Sequence, residues 1–142
     1  MFISDINKKF LRISFVYFCI SLFLILFGAV YEYFSHGVYS YFMIYAFCIP
    51  LVFGAFLYFI KALKANPSKL PSASDILYSA SIATFTVGSI LKGVLDIYGT
   101  TNRNTVAYPI IGSAILIISA ILALINKFNK NKELNNGGYY EK

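Results

Sequence analysis

Residues 13–31 read ISFVYFCISLFLILFGAVY, from Ile13 to Tyr31, without one charged side chain. At about 1.5 Å of rise per residue, a helix of that length crosses the roughly 30 Å hydrocarbon core of a bilayer. Gly37 to Ile60 and Asn104 to Asn126 are equally free of charge. Ile76 to Leu91 is also uncharged, but shorter and rich in Ser, Thr, Ala and Gly. Lipid offers no partner to a bare amide, so such segments must satisfy their N–H and C=O groups along their own helix. The sequence therefore predicts an all-α polytopic membrane protein, a bundle of four transmembrane helices with spans near 12–34, 39–61, 75–97 and 106–126.

Composition agrees with this. Of the 142 residues 58% are hydrophobic and only 13% charged, too few to clothe a water-soluble fold. The net charge of +6 forms no stripe or arm of the kind that binds nucleic acid, because the basic residues stand in blocks between apolar runs. Lysine and arginine in short loops are held on the cytoplasmic side during insertion. With four spans and the N-terminus inside, Lys8, Lys9, Arg12, Lys61, Lys64, Lys69, Lys127, Lys130, Lys132 and Lys142 all fall there, ten of the twelve basic residues. Were the third segment only to dip into the membrane, the lysine-rich tail would be translocated against this bias. Both termini are thus expected in the cytoplasm, with the chain in a plasma membrane. Ten lysines against two arginines, with abundant Asn, Ile, Tyr and Phe, suit a low-GC bacterium.

Local signals set the boundaries. Tyr31, Tyr33, Tyr39, Tyr41, Tyr98 and Tyr108 gather at the inferred outer ends, as an aromatic belt would. The inner loop from Asn66 to Ser72 holds Pro67 and Pro71, and Ser74 with Asp75 is placed to cap the next helix. Pro50 lies deep enough to kink the second span, whereas Pro109 falls in a first turn, where proline does no harm. Beyond residues 1–126 the basic segment 127–142 has little apolar surface to offset its ordering entropy and is expected to be flexible, its lysines drawn to anionic lipid.

Lys92 is the one cation inside an apolar stretch, and an ammonium there must reach outward or find a partner. Asp96 stands four residues on, on the same helix face. Glu32 and His36, at the outer end of the first span, complete a candidate outer-leaflet polar cluster of Glu32, His36, Lys92 and Asp96. It would suit a cation, a polar head group or a proton relay. The plainer account is a snorkelling lysine neutralised by its own helix neighbour. Ala80, Thr84 and Gly88 recur every four residues and form the candidate helix-packing face of the third span, since small residues let helices approach closely in lipid.

Enzyme templates fail. A single histidine excludes a multi-histidine metal site, Cys19 and Cys48 are not at zinc spacing, and no glycine-rich phosphate loop occurs. No catalytic residue, metal or other cofactor is expected. Small multidrug exporters also have four helices, but they rely on a glutamate within the first, and Ile13 to Tyr31 contains no acid. Likeness to phage holins and bacteriocin-immunity proteins is confined to size and a lysine-rich tail. Two functions stay open. One is a non-enzymatic bundle acting by association, as an accessory, immunity-type or scaffold subunit, whose partners are membrane lipids and either itself or another membrane protein. The other is a small transporter or channel subunit built on the charged cluster.

Overall fold

The computed structural model describes the backbone of residues 2–63 and 72–137 and the side chains of 8–63 and 72–129. Helix α1 runs over Phe2–Phe34. The second span is composite: α2 (Tyr41–Ile44), a turn, a wide π-helical stretch Ile49–Phe56, then α3 (Leu57–Leu63). Helix α4 covers Ala73–Ile97, and a 3₁₀ turn over Arg103–Val106 leads into α5 (Ala107–Gly137). Four helices, Lys8–Phe34, Tyr41–Leu63, Ala73–Ile97 and Arg103–Asn129, are long and apolar enough to cross a membrane, and no strand occurs among the described residues.

The helices stand in a row. Among the described residues α1 lies against span two, span two against α4, and α4 against α5, while α1 and α5 share no backbone contact. The bundle is therefore open, with α1 and α5 as its edges.

The seams explain the row. On α1 the buried Phe10, Ser14, Ser21, Leu24 and Gly28, with half-buried Tyr17, alternate steps of four and three, and the other half-buried positions, Ile13, Phe27, Tyr31 and Glu32, flank this seam or lie at its end. On α5 the buried or half-buried positions are Tyr108, Gly112, Ile115, Ser119 and Leu122, with the same rhythm. A 3.5-residue repeat is the signature of helices crossing at a shallow left-handed angle. Small residues mark the closest approaches: a Cβ on Gly88 would lie 2.6 Å from the Cβ of Tyr108, and one on Gly112 would lie 3.1 Å from the Phe85 ring.

Pro50 accounts for the irregular span. Lacking an N–H and crowding the carbonyl one turn before it, it cannot sit in an ordinary α-helix interior. The chain turns at Tyr45–Phe47 and then winds wide across Pro50, which is itself buried. Carbonyls of this span accept hydrogen bonds from neighbouring helices: Ser14 Oγ donates to Ala55 O at 2.7 Å, Tyr78 Oη to Phe53 O at 2.8 Å and Ser89 Oγ to Phe42 O at 2.8 Å. Pro109 sits in the first turn of α5.

Three details differ from expectation. Ser72, not Ser74, is the N-cap of α4, and its amide donates to Asp75 Oδ2 at 3.1 Å; Ser74 is buried, its carbonyl accepting from Ser119 Oγ at 2.8 Å. Tyr108, expected among the outer aromatics, is half-buried and packs its Cβ and the base of its ring over Gly88. The segment after Lys127, expected as a flexible tail, is helical as far as Gly137, since no proline or glycine interrupts it earlier. The loop expected over residues 66–72 falls outside the described residues except at Ser72, as do residues 138–142.

Candidate functional site

The C-terminal ends of α1 and α4 converge with α2 on Met43, which is 2% exposed. Gly93 of α4 makes this possible, for a Cβ there would stand 2.8 Å from the Met43 amide nitrogen, and Gly28 of α1 faces the Met43 carbonyl from the other side. One turn above this junction are the polar groups. Lys92 Nζ lies 2.6 Å from Asp96 Oδ1, and the buried Ser40, N-cap of α2, donates to Asp96 Oδ2 at 3.3 Å. Lys92 also sits 5.8 Å from the centroid of the Phe42 ring.

The electrostatics of this corner are tense. Asp96 stands in the last turn of α4, where the helix dipole disfavours an acid, and Lys followed by Asp is the weaker order for such a pair. Lys92 and Ser40 supply the compensation. Glu32 contributes differently: its Oε1 is buried and accepts no hydrogen bond from any described residue, while its backbone carbonyl accepts from Ser35 Oγ at 2.7 Å.

The structure thus joins Lys92, Asp96 and Ser40. Glu32 is on the adjoining helix end without an ion pair among the described residues, and His36 is an exposed turn residue with φ of 55°, bonded to none of them. Of the small residues expected on one packing face, Gly88 is buried against Tyr108, but Ala80 is exposed and Thr84 bonds its own helix at Ala80 O. The buried small residues of α4 include Ser74, Ser81 and Gly88, seven apart as a 3.5-residue seam requires, besides Thr86 and the Gly93 of the Met43 junction.

A second polar cluster lies toward the other end of the molecule. Tyr58, 1% exposed, stacks on Tyr17 at 5.8 Å, and its hydroxyl donates to Asp75 O at 3.0 Å and lies 2.8 Å from Ser79 Oγ. Lys61 Nζ reaches Asp75 Oδ1 at 2.6 Å and lies 5.0 Å above the Tyr58 ring and 5.3 Å above that of Tyr78. Gly54 leaves the room Tyr17 needs, since a Cβ there would be 2.5 Å from its ring. The spacings Tyr58-Lys61 and Asp75-Tyr78-Ser79, each on one helix face, were the sequence signal for this cluster. Comparison with protein-family models, curated proteins and solved structures finds no match to this chain. Among the described residues no three His, Cys, Asp or Glu side chains are placed to hold a metal ion, and Cys19 and Cys48 are free thiols.

Both clusters fasten neighbouring helices: Lys61 with Asp75 and Lys92 with Asp96 are paired, and hydroxyls of one helix reach groups on another, whereas Glu32 Oε1 is left unbonded among the described residues.

Proposed function

We propose that this protein is a non-enzymatic integral membrane protein that acts by lateral association, as an accessory, immunity-type or scaffold subunit. The observation that carries this reading is the open row. α5 is covered on one side only, by α4, and presents Ile110, Ile117, Ile121 and Leu124, each at least half exposed, along its free side. On this reading the chain lies in a plasma membrane with both termini cytoplasmic, for which the distribution of basic residues speaks.

Ile117→Cys in a Cys19→Ser/Cys48→Ser background tests it. Treatment of intact membranes with a short bis-maleimide should give one discrete adduct, of twice the protomer mass for self-association or of a single other mass for a heterologous partner. A chain that stays monomeric at Ile117 and at equivalent positions on α1 contradicts the proposal. A reporter fused behind Lys142 should be active only in the cytoplasm.

The second reading is a small transporter or channel subunit using the outer cluster. In its favour is the buried, unbonded Glu32 oxygen beside the Lys92–Asp96 pair. It requires Lys92→Leu to abolish ion or solute flux in vesicles while leaving yield and helicity intact.

A further inference from the structure

α5 carries a second stripe, which the chain itself leaves uncovered. Ile110, Ala114, Ile117, Ile121, Leu124 and Phe128 are all exposed and step by four and three. The first five each stand two residues past a position of the α4 seam, about 200° round the helix, and so lie on the face turned from α4. Ala107 to Asn126, twenty residues at about 1.5 Å each, already fill the ~30 Å hydrocarbon core. The stripe nevertheless runs on to Phe128, which is 70% exposed, and the helix to Gly137. Lipid tails do not reach that stretch, and a helix of about ten asparagine-rich residues is marginal in water by itself. A packed helical neighbour answers both.

Charge selects the neighbour. Lys127 is exposed and forms no ion pair among the described residues, Lys130 and Lys132 follow it, and Glu133 is the one acid between Asn126 and Asn136. Identical chains insert in one orientation and to one depth. A second copy offering its own α5 would therefore set these lysines against their equivalents. A copy offering α1 would bring up Lys9 and Arg12, because the start of α1 and the end of α5 lie at the same end of the row. Like charges placed together disfavour both arrangements, and opposite charges favour a foreign one. We infer that the free face of α5 receives a helix of a different membrane protein, one that carries Asp or Glu just inside the cytoplasmic surface. The inference rests on the association reading above and narrows its partner to a heterologous, inwardly acidic one.

The test uses the full-length protein in phosphatidylcholine vesicles, with a donor dye at Asn129→Cys in the Cys19→Ser/Cys48→Ser background. Two synthetic single-span helices carry the acceptor; they share one apolar segment and differ only in a flank of three glutamates or three lysines. The glutamate helix should reach half-maximal energy transfer at about one tenth the mole fraction of the lysine helix, the combined size of three exposed ion pairs. That ratio should invert in Lys127→Glu/Lys130→Glu/Lys132→Glu. Ile117→Ala/Ile121→Ala should weaken the binding of both helices several-fold, whereas Val16→Ala/Leu26→Ala on the exposed side of α1 should leave it unchanged.

Equal transfer from the two helices overturns the inference, as does a preference that survives the triple substitution. So does energy transfer between two labelled copies of the protein that outcompetes the glutamate helix, which assigns the face to self-association. A preference abolished by adding phosphatidylglycerol assigns the lysines to lipid head groups and overturns it as well. The adduct at Ile117→Cys in native membranes keeps the two readings apart: its absence ends the association reading itself, whereas its presence without an acidic preference in vesicles ends this inference alone.

Discussion

Span two and α5 solve the same problem in opposite ways. α5 is an unbroken helix that keeps its backbone bonds to itself and touches one neighbour along a narrow seam. Span two is broken by a turn and widened around Pro50, and it lies between two neighbours that donate hydroxyls to its carbonyls. Irregular backbone in a nonpolar medium survives only where other side chains complete it. The irregular element is therefore the one in the middle of the row, and the regular one can stand at its edge.

The largest effect is expected where that middle is tightest. Gly93→Leu places carbon against the Met43 backbone, which cannot yield without moving α2; it should cost ~3 kcal/mol, read as a large loss of thermal stability in detergent. Tyr58→Phe keeps the stack on Tyr17 but removes the hydroxyl bonded to the Asp75 carbonyl, for a loss of about 1–1.5 kcal/mol by the same measurement. Ser14→Ala deletes one of the hydroxyls that complete span two. It should cost about 0.6 kcal/mol, the average for such bonds in membranes, and hasten amide exchange around Ala55. Ile117→Ala on the free side of α5 should change protomer stability by less than about 0.5 kcal/mol. If Ile117→Ala proved as damaging as Ser14→Ala, α5 would not be an edge and the contrast would fail.

The four helices were legible because an uncharged run of some twenty residues has few alternatives in protein structure, and each expected span falls on one of the four long apolar helices. Pro109 and Pro50 were legible too, since proline acts through the local backbone. The order of the row was not, because no single helix encodes its neighbour. The small residues of α4 admit two rhythms, Ala80-Thr84-Gly88 every four and Ser74-Ser81-Gly88 every seven, and only contact with α5 decides between them. Tyr58 illustrates a different limit. A tyrosine suits an interface or a core equally well, and its burial depends on Tyr17, Ser79 and Asp75 arriving from other helices.

The Lys61–Asp75 pair and the Tyr58 hydroxyl tie span two to α4 immediately on either side of the connection that joins them. These contacts hold the two helix ends together independently of the connection. Severed between Asn66 and Pro67 and produced as two separate polypeptides, the molecule carries at the cut ends its own means of reassembly.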